Sequence, residues 1–300
     1  MAARHNEFNI NHAYLLSEYN TENIRATLGL QTGTYADFNY GAEPNELYKM
    51  IYQAYAGVKL SDKIWVDAGV FPGHTGYEAV ESLYNEIYTR ALSTEYTPYY
   101  ETGVRITIDP SDQWTITGVI LNGWQNIAET NDSKAFGVNI NFRPNSKLVL
   151  NYGNYFGDEG SQFVGSRYRT FHHAYIKYQF NDAFHAVFSI DRGRQELGIQ
   201  DEKGTFHFYT FITQYKINDK FSIAARFEDV ADEDNLVSSA NARPGFSGQV
   251  YTINFNYHVT ENAMLRLESK LYKGNKLLFF GDGFPEESNE LIVASLAVKI

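Results

Sequence analysis

The chain has 300 residues, no cysteine, a formal net charge of -11, a mean hydropathy of -0.39 and 16% aromatic residues, with 23 Tyr and 21 Phe. Without thiols there are no disulfides, thiolate metal sites or cysteine nucleophile, and the acidic balance argues against nucleic acid, which needs a basic face. No run of about 18 apolar residues exists, which excludes membrane-spanning helices, and the start MAARHNEFNI is not a signal peptide.

Period-2 alternation dominates the whole chain. Strand-like segments fall near 7–19, 24–33, 50–60, 64–71, 98–109, 113–124, 133–143, 148–156, 168–180, 184–192, 205–217, 221–230, 248–259, 263–274 and 291–300. Most are close to the roughly 9–11 residues of a tilted strand that crosses a bilayer. Helical apolar spacing appears only at 78–92. No Pro/Gly/Ser-rich linker divides the chain, so 1–300 reads as one domain.

The connections are of two kinds, and they alternate strictly. "QYKINDKFSI" at 214–223 holds a tight corner at Asn218-Asp219-Lys220, with near-copies in "VKLSDKIWV" at 58–66, "KYQFNDAFHAV" at 177–187 and "YHVTENAML" at 257–265. Long, irregular connections lie between the corners, near 34–49, 72–97, 125–132, 157–167, 193–204, 231–247 and 275–290. In an antiparallel meander, alternate turns lie at the same end. A transmembrane barrel has reason to keep short turns on one side and long loops on the other, whereas both ends of a soluble sandwich meet water.

The strand faces agree. "FGVNINFR" sets Phe136, Val138, Ile140 and Phe142 against Gly137, Asn139, Asn141 and Arg143, and "YTINFNYHV" sets Tyr251, Ile253, Phe255 and Tyr257 against Thr252, Asn254, Asn256 and His258. Pointed inward, so many apolar faces would enclose a cavity too wide to fill; pointed outward, they make a lipid belt around a wet lumen. Trp65, Trp114, Phe180, Phe184 and Phe221 lie beside short turns, where an interfacial aromatic girdle belongs. The expected fold is an all-β, up-and-down outer-membrane barrel. A soluble or surface β-sandwich binding protein is the alternative fold.

The segment 70–105, with His74, Gly76, Glu78, Arg90 and Pro98-Tyr99-Tyr100, resembles the β-barrel porin family described as OmpL-like. So do "LNGWQNI", with Asn122, Gly123 and Trp124, and "NYGNYFGDE" at 151–159. The resemblance implies an outer-membrane channel of a Gram-negative bacterium. It also implies a leader and at least one strand ahead of "RHNEFN". Strand parity agrees, since fifteen is odd and single-chain bacterial barrels are even. About sixteen strands are therefore expected in the native protein, with 7–19 and 291–300 left in this chain as unpaired edges or forced into a non-native closure.

The connection 72–97 is expected to fold into the lumen as a pore constriction. Its amphipathic helix would carry Val80, Leu83, Ile87 and Ala91 on one side and Glu78, Glu81, Glu86 and Arg90 elsewhere. The lumen face is expected to carry Arg25, Lys59, Arg105, Arg143, Lys177, Arg226, Arg266 and Lys270 against Asp67, Glu101, Asp191, Glu228 and Glu268. An acidic loop opposite Arg105 and Arg143 would set a transverse field across the pore. If these charges pair along the wall instead, they only keep it wet. His172 and His173 point to opposite faces and cannot chelate one ion. An outer-membrane hydrolase is the second function class, with His173, His185, His207 and His258 as lumen candidates but no nucleophile motif beside them. The expectation is a passive diffusion channel for small hydrophilic solutes or ions. Its partners would be outer-membrane lipid and solutes, with no cofactor, metal or nucleic acid, as a homotrimer or a monomer.

Overall fold

The computed structural model describes residues 4, 6–160, 165–198, 202–237, 245–281 and 284–300. Parts of the long connections 157–167, 193–204, 231–247 and 275–290, including Asp282 of the acidic 281–290 stretch, lie outside the described residues.

The seven short corners share one device, an Asn, Ser or Thr oxygen that accepts a backbone N–H two or three residues on. Asn145 accepts from Lys147 and Leu148 at 2.9 and 3.1 Å, Asn181 from Ala183 and Phe184 at 3.0 Å each, and Asn218 from Lys220 and Phe221 at 2.9 and 3.0 Å. Thr21, Ser61, Ser111 and Thr260 do the same for Ile24, Lys63, Gln113 and Asn262, at 3.0, 3.4, 3.4 and 3.2 Å. This local acceptor closes the turn without glycine, which is why the same corner recurs in the sequence.

Between the corners run β1 (Ala13–Asn20), β2 (Ile24–Thr32), β3 (Ile51–Ser61), β4 (Ile64–Pro72), β5 (Tyr100–Ser111), β6 (Trp114–Leu121), β7 (Ala135–Asn145) and β8 (Leu148–Asp158). They continue as β9 (Tyr168–Asn181), β10 (Phe184–Glu196), β11 (Lys203–Lys216), β12 (Phe221–Ala231), β13 (Ser247–Thr260) and β14 (Ala263–Gly274). A small ribbon, β15 (Phe279–Gly281) with β16 (Phe284–Glu286), precedes the last long strand, β17 (Ser288–Val298). Helices α1 (Thr34–Asn39) and α2 (Glu46–Lys49) occupy the first long connection, and the sequence signalled neither them nor the ribbon. The fifteen long strands form one sheet in which each pairs antiparallel with its sequence neighbour. Among the described residues β1 bonds to β2 and β17 to β14, and these two edges do not pair with each other.

Outward faces are apolar and inward faces polar. Phe255 and Leu267 are 47% and 50% exposed, while Asn254 and Arg266 on the opposite face are 0% and 4%. On the short-turn side, Trp114 stacks on Phe142 at 4.1 Å and Phe221 on Tyr257 at 4.7 Å, forming part of the aromatic girdle. Trp65 does not join them. It shares a face with Asp67 and lies inside the barrel under the Arg25 guanidinium, 4.6 Å from its ring centre.

Toward the long loops the pattern inverts. Phe71, Leu121, Tyr155, Phe171, Phe206, Phe208 and Val250 point inward and form a dry core beneath the loops. His207 therefore faces out, not into the lumen, because Phe206 and Phe208 hold the inward positions on either side of it.

Candidate functional site

The connection 72–97 passes inside the ring of strands and bonds to its inner face. Its backbone does not form the expected helix across 78–92. It holds one 3-10 turn, Ser82–Tyr84, and a short helix α3, Leu92–Glu95. Side chains, mostly on the wall, take the N–H groups that a helix would use. Asn254 Oδ1 accepts from Tyr88 N–H at 3.4 Å, Glu268 Oε2 from Thr89 at 2.8 Å and Glu228 Oε2 from Leu92 at 2.5 Å. Within the loop, Asn85 Oδ1 accepts from Ala79 at 2.8 Å and Glu78 Oε2 from Ala91 at 2.6 Å. A regular helix would leave the buried wall acceptors unpaired, at a cost above that of an irregular backbone. Of the apolar set, Ile87 packs against Val187, Ile212 and Ala224.

The inward cations hold the loop rather than face it across water. Arg226, fully buried, donates to Glu78 at 3.2 Å, Glu228 at 2.8 Å, and the carbonyls of Thr89 and Arg90 at 2.7 and 3.0 Å. Arg266 donates to the carbonyls of Ser82 and Asn85 at 2.6 and 2.7 Å, and Lys270 to that of Arg90 at 3.3 Å. Glu81 accepts from the Tyr52 hydroxyl. Glu86 meets Tyr77 Oη at 2.5 Å, His185 Nε2 at 2.9 Å and Lys177 Nζ at 3.3 Å. Burial alone would raise the Glu86 carboxyl, but the His185 bond, the Lys177 charge and the Tyr77 bond outweigh it and hold it at about 2. Arg90 is folded into the loop, donating to the Val80 carbonyl, with its guanidinium 5.1 and 5.2 Å from the rings of Tyr35 and Tyr99.

Arg105 and Arg143 are not brought to these acids. Arg105 shares Asp67 with Arg25, at 3.0 and 2.6 Å, and lies over Phe71 and Tyr55. Arg143 sits exposed near a short turn. The two histidines 172 and 173 do face opposite ways, and His173 is buried against Asp191 at 2.6 Å.

The base of the loop is anchored by His74. Its Nδ1 meets Glu101 at 2.7 Å and its Nε2 meets the Asn154 carbonyl at 2.7 Å, two acceptors placed to favour the protonated ring. Burial alone would lower its pKa, but Glu101 and the carbonyl reverse this and raise it. Asn154 then gives Val138 N–H its side-chain oxygen, at 3.0 Å. A Cβ on Gly137 would collide with His74 Nε2, so the glycine makes room for this anchor. The other motif residues brace the loops around it. Gly76 takes φ +108°, and Pro98 presses on Gly73. Tyr99 is buried, Tyr100 stacks on Tyr40 at 4.0 Å and donates to Glu43 at 2.7 Å, and Asn122 donates to the Ile127 carbonyl at 3.0 Å. Gly123 adopts φ +151°, and Trp124 stands edge-on to Tyr155 and Phe171 beneath the Arg169 guanidinium. Sequence reasoning missed Tyr35, Tyr40, Glu43 and Arg169; the aromatic density of "TYADFNY" is a signal for the two tyrosines alone.

An antiparallel meander with a lipid belt, a polar interior and a long loop folded into the ring defines an outer-membrane channel of the porin class. The chain belongs to the family described as "Putative beta-barrel porin-2, OmpL-like", whose profile matches residues 1–300. No curated protein sequence matches it. Among solved structures it resembles Salmonella typhi OmpF in complex with daunomycin, at 13% identity and TM-score 0.66, covering 95% of this chain and 89% of that one. It also resembles the outer membrane channel DcaP of Acinetobacter baumannii, at 11% and 0.64, covering 95% and 84%. A third is in-vitro folded OmpT of Vibrio cholerae in its trimer form, at 10% and 0.57, covering 95% and 88%. Family and fold are those of an outer-membrane channel.

Proposed function

We propose that this outer-membrane porin is a passive diffusion channel for small hydrophilic solutes, narrowed by 72–97, with an accessible lumen surface that favours anions. The observation that carries this reading is the unequal neutralisation of charge. Glu78 and Glu86 are bonded and nearly buried, and Glu81 is bonded to Tyr52. Arg25 and Arg105 share the single buried Asp67 and stay partly exposed. Arg143 adds an exposed charge on the same face. A hydrolase reading has less support, because His173 and His185 are committed to Asp191 and Glu86 and His207 points away from the lumen. Single-channel recording in a planar bilayer tests the proposal: discrete, ohmic steps are expected, and a folded, inserted protein that passes no current would overturn it. Homotrimeric assembly, the form named for the Vibrio cholerae structure, is a further part of the reading, and light scattering of the detergent-solubilised protein checks it.

A further inference from the structure

The outer wall changes character near the long-loop rim. Outward residues on β10 run Phe184, Ala186, Phe188 and Ile190, then Arg192 and Arg194, both exposed. Register sets Arg192 directly between His172 on β9 and His207 on β11, and Arg194 between Thr170 and Thr205. Neither arginine has a hydrogen-bond or ion-pair partner among the described residues. The carboxylates on neighbouring strand ends are engaged. Glu196 meets Lys203 at 3.4 Å and Tyr168 N–H at 3.2 Å, and Asp158 accepts from the N–H groups of Gly160 and Arg167 at 2.8 and 2.7 Å.

The height of the patch selects its partner. Arg192 lies eight residues along β10 from Phe184, at the girdle end. At about 3.3 Å per residue and a tilt of roughly 40°, that is about 20 Å of rise, close to the upper edge of a belt about 25 Å tall. Unpaired guanidinium groups at that depth meet the headgroups of the outer leaflet. Two forked donors one pleat apart, flanked by imidazoles and hydroxyls, suit tetrahedral phosphate oxygens rather than a lone carboxylate.

We propose that this patch binds the phosphate groups of an outer-leaflet lipid. The site rests on the barrel lying in the outer membrane with its long loops outward, and is otherwise independent of what the pore conducts. Refolded wild type and the double variant Arg192→Gln/Arg194→Gln are each incubated in detergent with a diphosphorylated glycolipid, and retained lipid is counted by native mass spectrometry. Wild type is expected to retain it, and the variant to bind at least about tenfold more weakly, since charge-assisted bonds are lost. The charge-conserving pair Arg192→Lys/Arg194→Lys is expected to bind between the two and guards against a misfolded Gln variant. Equal retention by all three, equal retention of the dephosphorylated lipid, or displacement by inorganic phosphate at matched concentration would overturn the site. A change of oligomeric mass in the Gln variant without lipid in the wild type would make the patch a contact between copies instead. Wild type that fails to insert into bilayers removes the membrane reading with it, whereas insertion without lipid retention removes this site alone.

Discussion

At the scale of single residues, Arg226 and Glu86 carry the clearest consequences. Arg226 is enclosed by Glu78, Glu228 and two loop carbonyls, with its own side chain and both carboxylates nearly or fully buried. Arg226→Met removes the cation and strands the acids, which costs about 3–5 kcal/mol when a buried pair loses one member. The urea midpoint of the detergent-refolded protein should fall accordingly, and adding Glu78→Gln should recover part of the loss. A single variant as stable as wild type would show that these charges reach water. Glu86 gives a pH signature. Its carboxyl moves from 4.5 to about 2 on folding, so the latch stabilises fully above about pH 4.5 and is lost as pH falls toward 2. The stability difference between wild type and Glu86→Gln should therefore be constant at neutral pH and shrink between pH 4.5 and 2. A difference that holds unchanged down to pH 2 would mean that His185, Lys177 and Tyr77 do not select the ionised form.

At the scale of elements, the loop 72–97 is a separable insert, because the strand-to-strand pairing of the wall does not run through it. Deleting 79–91 frees Arg266 and Lys270 into a wet lumen and leaves the strand ladder intact, so the barrel should fold and its single-channel conductance should rise. Unchanged conductance, in a barrel still folded by heat-modifiability on gels, would place the loop outside the conduction path. The wall and the inward path of the loop were legible in the sequence and the loop's backbone conformation was not, for a physical reason. A corner such as Asn218-Asp219-Lys220 closes on its own side chain, and alternation over one strand sets its faces, so both signals are local. The loop's conformation depends on Asn254, Glu268 and Glu228, far along the chain, and they outbid the helical spacing of Val80, Leu83, Ile87 and Ala91. Trp65 and His207 were misplaced for a related reason. Which face is wet depends on what fills the barrel at that height, and a single strand does not carry that information. His74 was singled out only by family resemblance; its role emerges from Glu101, Gly137 and the Asn154 carbonyl meeting at one point.

At the scale of the molecule, the net charge of -11 and the proposed anion preference of the lumen have opposite signs. Acidic residues crowd into long connections, as with Asp232, Glu233 and Asp234 just beyond β12, or are consumed inside the barrel. Glu101 is taken by His74, Asp191 by His173, Asp67 by two arginines at once, and Glu228 by Arg226. On the proposed reading a permeating ion meets the partly exposed Arg25 and Arg105 and the exposed Arg143 on one wall. Within a narrow lumen these charges act over a Debye length of about 10 Å at 0.1 M salt, so they should bias permeation most when salt is dilute. In a potassium chloride gradient, the wild-type reversal potential should report chloride as the more permeant ion. Arg105→Gln with Arg143→Gln should shift it toward potassium, and the shift should shrink as both solutions are concentrated. Wild-type preference for potassium, or a reversal potential that ignores the double substitution, would mean that some other charge sets the selectivity.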